Sequence, residues 1–269
     1  EIKKDFKISE LNGKSLPVLN VEYNQKKPFE KISKKSNKYI FNCFNNALEF
    51  VRRKKIIGFI NCPISKESLF KEKYKGITEY LSQKSKCAGN EVMLIFNKKL
   101  SVSPLTTHIP LSLVYKKKYK KMIIKKITII NNFYVKFIKK KPKIAILGLN
   151  PHNFSYLKSF EEKNIISKAV KIIKKRNINA FGPIPADTSF MTQKKYKYDI
   201  IFGMYHDQVL TPFKTIFKYD AINVTLGLPY IRLSPDHGVG YNILGKKIAN
   251  HESLVKCLKF FNYIKNETS

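Results

Sequence analysis

The sequence predicts an α/β protein with a largely parallel sheet. Two observations carry that expectation. Short apolar runs of strand length alternate along the chain with longer amphipathic segments of helix length. Of the 269 residues, 43% are hydrophobic, enough for one large domain or two lobes around a real core. No internal repeat or low-complexity linker interrupts the alternation. No uncharged apolar run reaches the roughly 18 residues that a membrane-spanning helix needs, so no membrane partner is expected.

The elements follow in order. "KIIGFINC" (55–62) and "EVMLIF" (91–96) are short runs rich in β-branched and apolar residues, and read as buried strands. In 127–141, Ile129, Ile130, Phe133, Phe137 and Ile138 recur at helical spacing, and Thr128 is placed as the N-cap. "KIAILGL" (143–149) is a strand. The segment 159–177 is a helix, with Ser159, Glu161 and Glu162 at its start and basic residues at its end, matching the helix dipole. "YDIIFGM" and "INVTLGL" are strands, and 250–266 is a closing helix. No GxGxxG follows any strand, so a dinucleotide would not be held through a Rossmann fingerprint.

The net charge of +33 suggests nucleic acid. Its composition points elsewhere. Of 52 basic residues only Arg52, Arg53, Arg176 and Arg232 are arginine, and the chain is also rich in Ile, Asn, Phe and Tyr. Lysine clusters such as 115–126 and 136–143 lie on amphipathic patterns or at element ends, where they read as solvated faces. No aromatic-basic platform accompanies them, so no nucleic-acid partner is expected. The charge can still steer anionic substrates toward a cleft. Cys43, Cys62, Cys87 and Cys257 form no CxxC pair and read as buried reduced thiols in a cytoplasmic protein. The opening "EIKKDFK" has no apolar core of a signal peptide and no starting Met, and reads as the interior of a longer chain.

Three of the five histidines stand just beyond probable strands. His108 follows "LSVSPLTT", His152 follows "KIAILGLNP" and His206 follows "YDIIFGMY". The carboxyl edge of a parallel sheet is where ligands bind. Three neutral imidazoles there suit Zn²⁺, Co²⁺ or a similar divalent ion. Each taken alone reads first as a structural or surface residue, and it is their shared placement that brings up the metal reading. His237, in "SPDHGVG", could line the same cleft or belong to a turn, and His251 opens the last helix toward solvent. Asp187, in "GPIPADT", could orient a ligating His, act as a base, or make an Asx-turn. Lys214 lies eight residues beyond His206. Arg232 is an arginine kept in a lysine-rich chain, as planar recognition of phosphate or carboxylate would require.

Read together, "TTHIPL" (106–111), "LGLNPH" (147–152), "GPIPADT" (182–188), "MYHDQ" (204–208), Lys214, "NVTLGLPYIR" (223–232) and "DHG" (236–238) resemble the 4-hydroxythreonine-4-phosphate dehydrogenase family, NAD-dependent enzymes of pyridoxal-phosphate biosynthesis. The resemblance runs from about residue 61 to the end of the chain. It implies an isocitrate/isopropylmalate-dehydrogenase-like fold, two α/β lobes with a cleft between them. The first lobe is expected over 1–75 with 243–269, and the second, carrying the metal site, over 76–242. It implies a cytoplasmic homodimer whose active sites draw on both chains, NAD or NADP as cofactor, and a divalent Zn, Mg or Co ion. Matched position by position, His108, His152 and His206 fall on metal ligands, and Thr78, Lys214, Asn223 and Arg232 on substrate contacts. Such a site would oxidise the secondary alcohol of 4-phosphooxy-L-threonine. The product, 2-amino-3-oxo-4-phosphooxybutanoate, is a β-keto acid that loses CO₂ to give 3-amino-2-oxopropyl phosphate. Asp187, Asp207 and Lys66 are candidates for the base, as is a water on the metal.

Two departures stand out. The family's "GHTE" is "GITE" here, with Ile77 where a histidine would donate to the substrate. The family also opens with a strand and a "GDPAGIGPE" loop, of which Glu1 and Ile2 match only the end, so that strand is expected to be missing. Ile77 keeps open a relative acting on another phosphorylated hydroxy acid, such as a four-carbon sugar-acid phosphate. The missing strand keeps open a non-catalytic remnant.

Overall fold

The computed structural model describes residues 1–11, 13–25, 27, 30–70, 74, 76–114, 119–154 and 160–266. The strands are β1 (Gly58–Ile60), β2 (Val92–Phe96), β3 (Ser101–Pro104), β4 (Ile144–Leu147), β5 (Ala180–Ile184), β6 (Ile200–Gly203), β7 (Ile222–Leu226) and β8 (Ile231–Pro235). The helices are α1 (Asn37–Arg52), α2 (Lys66–Phe70), α3 (Ile77–Lys84), α4 (Lys120–Phe133), α5 (Ser167–Lys175), α6 (Ala186–Ser189), α7 (Gln193–Tyr196), α8 (His206–Phe217) and α9 (Glu252–Asn266). All eight strands join one sheet in the order β1-β8-β7-β2-β3-β6-β4-β5.

The sheet is mixed rather than largely parallel. β3, β6, β4 and β5 run parallel, as do β1 and β8, but β8, β7, β2 and β3 alternate in direction. Helical crossovers put β4, β5 and β6 in parallel. β2 and β3 are separated only by a short turn, which joins neighbours antiparallel.

The alternation of side chains sorts the two faces. Val92, Leu94, Phe96, Val224, Leu226, Ile231 and Leu233 point to one face. There they meet Ile123, Ile127 and Ile130 of α4, Ala169, Val170 and Ile173 of α5, and Cys257 and Phe260 of α9. Ile95, Val102, Ala145, Leu147 and Ile201 point to the other face, under Val209, Leu210 and Phe213 of α8. A third cluster lies outside these layers. Phe44 and Leu48 of α1 pack on Ile77, Tyr80 and Leu81 of α3 and on Tyr230.

Two helix expectations are corrected. Thr128 is not an N-cap. It lies inside α4, and its hydroxyl donates back to the Ile124 carbonyl at 2.8 Å. The apolar spacing extends upstream through Ile123 and Ile127, so the helix starts at Lys120. The helix expected over 159–177 is a π-helical stretch over Phe160–Ile166 leading into α5, and Ser159 falls outside the described residues. All four cysteines are free, but only Cys257 is buried, and Cys62 is exposed.

Candidate active site

Five side-chain hydrogen bonds assemble the loops that carry the histidines. After β3, Thr106 donates from its hydroxyl to the Met204 carbonyl at 2.8 Å, tying the His108 loop to the end of β6. After β6, Gln208 accepts from the Met204 amide at 2.7 Å and donates to the Gly148 carbonyl at 2.8 Å, tying α8 to the end of β4. After β4, the buried Glu162 carboxylate accepts from the amides of Leu149 and Asn150 at 2.9 and 2.8 Å. A Cβ at Gly148 would meet Asn153 Oδ1, so a side chain there would have to displace Asn153. His152 itself takes a left-handed backbone (φ 51°), a conformation that few non-glycine residues adopt.

A cleft of about 840 Å³ opens beside these loops. His108 and His206 both line it, with ring centroids 6.3 Å apart. His206 begins α8, and its Nδ1 lies 2.7 Å from Asp207 Oδ1. His108 Nδ1 lies 4.0 Å from Glu79 Oε1. Burial pushes the Glu79 carboxyl up, but the nearby His108 and Lys66 and the backbone amide more than offset this, and it sits below its usual range. His152 does not line the cleft. It is 81% exposed and faces Asp187, with Nδ1 3.6 Å from Oδ2. Asp187 is likewise outside the cleft. Among the described residues no three His, Cys, Asp or Glu side chains converge to hold an ion. The three histidines therefore share a sheet edge, but a single chain brings only two of them together.

The rest of the cleft is the polar part of one sheet face. Asn223 and Thr225 on β7 and Arg232 and Ser234 on β8 lie on that face by period two and by register, Thr225 opposite Arg232 and Asn223 opposite Ser234. Arg232 is 3% exposed. Its Nε donates to Asn61 Oδ1 at 2.6 Å and its Nη1 to Thr225 Oγ1 at 2.9 Å, so both partners are neutral. Burial drops its pKa to about 10, with Tyr230, Cys257 and Glu79 opposing. Thr225 Oγ1 also lies 3.5 Å from Thr78 Oγ1. Thr225 accepts from Arg232, and either hydroxyl of the Thr78–Thr225 pair can be the donor. Lys214, on the last turn of α8, is half exposed and pairs with Asp236 Oδ1 at 3.2 Å. Burial pushes the Asp236 carboxyl up, against the pull of Lys214.

Three buried acceptor oxygens in this cleft have no hydrogen-bond partner among the described residues: Glu79 Oε2, Asn223 Oδ1 and Asp236 Oδ2. Leaving such atoms unpaired costs about 1–3 kcal/mol each, so they mark places where a ligand supplies the donor or the cation. Two imidazoles beside an unpartnered carboxylate oxygen also fit the donor chemistry of a divalent ion. Glu79, Thr225, Asn61 and Gln208 carry no chemical signal of their own in the sequence, and Asp236 reads there as part of a turn. Each acts through a partner distant in sequence, which local patterns do not show.

The comparisons agree with this architecture. The family model for the pyridoxal phosphate biosynthetic protein PdxA matches residues 1–261. The chain belongs to the PdxA family. It is 40% identical over 263 residues to the 4-hydroxythreonine-4-phosphate dehydrogenase of Sulfurihydrogenibium sp., covering 96% of this chain and 80% of that protein. It is 36% identical to the enzyme of that name from Bradyrhizobium diazoefficiens, of whose length it spans 64%. The crystal structure of 4-hydroxythreonine-4-phosphate dehydrogenase from Klebsiella pneumoniae superposes with a TM-score of 0.75 at 28% identity, over 87% of this chain and 72% of that one. An isocitrate dehydrogenase from Methylococcus capsulatus shares the fold alone, with a TM-score of 0.50 at 12% identity. The isocitrate-dehydrogenase-like fold expected from the PdxA motifs is thus the one observed.

Proposed function

We propose that this PdxA-family chain is a metal-dependent NAD oxidoreductase that oxidises 4-phosphooxy-L-threonine, with NADP as an alternative hydride acceptor. The observation that carries this reading is the content of one cleft. Two adjacent imidazoles, a buried guanidinium without a carboxylate partner and a row of unpaired acceptors match a substrate bearing a hydroxyl, an ammonium and two anionic groups. Arg232 holds the substrate carboxylate with its planar fork, and Lys214 and Thr78 contact the substrate's phosphate. Asn223 Oδ1 accepts from the substrate ammonium. His108 and His206 hold the ion, which when bound lowers the pKa of the substrate hydroxyl. Asp207 and Glu79 orient these two rings. Lys66 and Asp207 line the cleft and Asp187 does not, so the proton acceptor is sought first at those two residues. The dinucleotide carries the hydride, and the chain supplies position and charge.

His152 fits the same reading through a second copy of the chain. Its ring stands on the same sheet edge, is exposed and is oriented by Asp187, so a homodimer with shared sites would use it to complete the ligand set. The two-lobe division belongs to this proposal as well. The apolar cluster that α1 forms also takes in α3 and Tyr230, so the first lobe's core would extend past residue 75. No described helix is long and apolar enough to cross a membrane, and four free cysteines agree with a reducing cytoplasm.

Ile77 supports a second reading, a different phosphorylated hydroxy acid as substrate. It is 7% exposed and packs into the α1–α3 cluster while presenting no donor to the cleft. Metal content decides the ion. His206→Ala should lose both bound Zn²⁺ and turnover, and a variant that keeps its full metal content would remove His206 from the ligand set.

A further inference from the structure

Lys126 is a cation that the proposed reaction has not yet used. It sits on α4, the helix that covers the opposite face of the sheet, yet its side chain reaches the cleft beside Leu105, Met122 and Glu91. Its Nζ donates to the Leu105 carbonyl at 2.9 Å, at the end of β3 and three residues ahead of His108. Among the described residues no carboxylate lies within ion-pair distance of it, whereas Lys214 in the same cleft is paired with Asp236. Burial draws its pKa below the usual lysine value, with Glu91 and Glu79 pulling the other way from a distance. The neighbouring Lys125 and Lys121 on the same helix are exposed, as are most lysines of this chain.

A cation partly withdrawn from water without a counterion is costly, and Leu105 satisfies only one of its three N–H groups. Position 126 could have been apolar, as Ile123, Ile127 and Ile130 on the same helix are. The cleft thus holds two cations with neutral partners only, Arg232, which is buried, and Lys126, which is half-buried. A phosphorylated hydroxy acid brings two anionic groups. The planar fork of Arg232 matches a carboxylate, and the compact ammonium of Lys126 is a point charge suited to a dianionic phosphate monoester.

We infer that Lys126 is a substrate-binding residue of this cleft, which takes the phosphate monoester of the substrate and supplies a donor to a site where Ile77 offers none. The inference rests on the proposed reading of the cleft as a site for a phosphorylated hydroxy acid. The chemistry it needs is an anionic phosphate, which the dinucleotide's pyrophosphate also carries.

The test uses full-length, metal-loaded protein and two ligands measured by titration calorimetry, inorganic phosphate and NAD. Lys126→Met keeps the length and apolar stem of the side chain, and Lys126→Arg restores a cation. With thermal melting unchanged, K126M should bind inorganic phosphate at least tenfold more weakly and NAD as tightly as the parent, and K126R should recover most of the phosphate affinity. Unchanged phosphate binding in K126M would overturn the inference, and so would a loss confined to NAD. A K126M melting point several degrees below the parent, with phosphate affinity intact in the folded fraction, would make Lys126 a structural contact to Leu105 and overturn it equally. Phosphate binding is read without turnover, so a failure of the proposed reaction would leave this result standing on its own.

Discussion

Replacing Arg232 by methionine separates binding from stability in one variant. In the folded protein the guanidinium is 3% exposed, and its two hydrogen bonds go to Asn61 and Thr225, neither of them charged. The protein therefore bears the desolvation cost of a cation without a counter-charge. Met fills a similar volume and removes that cost. Against it stand two orphaned acceptors at about 1 kcal/mol each, reduced because Thr225 keeps Thr78 as a neighbour. The two effects nearly cancel, so the stability of R232M should stay within about 1 kcal/mol of the parent, or a few degrees in Tm. Binding behaves differently. Removing one partner of a buried charge pair costs about 2–5 kcal/mol, and a middle value of about 3 corresponds to a loss of roughly 150-fold in kcat/KM. Steady-state kinetics with NADH absorbance, together with thermal melting, read both quantities. A variant that loses 3 kcal/mol or more of stability while kcat/KM falls less than tenfold would refute this reasoning and make Arg232 a structural cross-link between β7, β8 and Asn61.

Two further outcomes follow from the same geometry. Cys62 is exposed, whereas Cys257 is fully buried and its thiol is pushed up to about 12 by burial; at pH 8 a thiol reagent should label Cys62 in the folded protein and Cys257 only after denaturant, as peptide mass spectrometry would show. Burial raises the Asp236 carboxyl above its unfolded value, so its contribution to stability is fully present below the ordinary carboxyl pKa and declines as pH rises through the raised one. Asp236→Asn should therefore gain stability relative to the parent as pH climbs through that window, and a gap in melting temperature that stays constant with pH would contradict the assignment.

Much of this protein was legible in its sequence because the signals are local. A strand such as 143–149 announces itself by a short β-branched run, and the turn after it by "GLNP". The placement of His108, His152 and His206 beyond strands needed only that grammar, and the three do share a sheet edge. What escaped was not local. The alternating directions of β8, β7, β2 and β3 depend on pairing between residues far apart. Helix α1 hides Phe41, Phe44, Leu48 and Val51 at helical spacing among asparagines of poor helix propensity. The start of α4 was displaced because Thr128 can cap a helix or bond back within one, and only the burial of Ile123 and Ile127 decides between these. Lys126 could not be singled out at all. In a chain this rich in lysine, composition says nothing about which one turns inward. The separation of His152 from the cleft has the same origin, since a left-handed turn at residue 152 reorients the ring without any mark in the residue type.

The central claim is that this cleft oxidises 4-phosphooxy-L-threonine with a nicotinamide cofactor and a divalent ion. The direct measurement supplies purified protein with NAD, Zn²⁺ or Mg²⁺ and 4-phosphooxy-L-threonine, and follows NADH absorbance beside a parallel reaction with a four-carbon sugar-acid phosphate. NADH formed from the threonine phosphate, abolished by chelation and restored by the ion, is the predicted result. Turnover of the sugar-acid phosphate with none of the threonine phosphate would contradict the substrate assignment, and NADH formation unaffected by chelation would contradict the role given to His108 and His206.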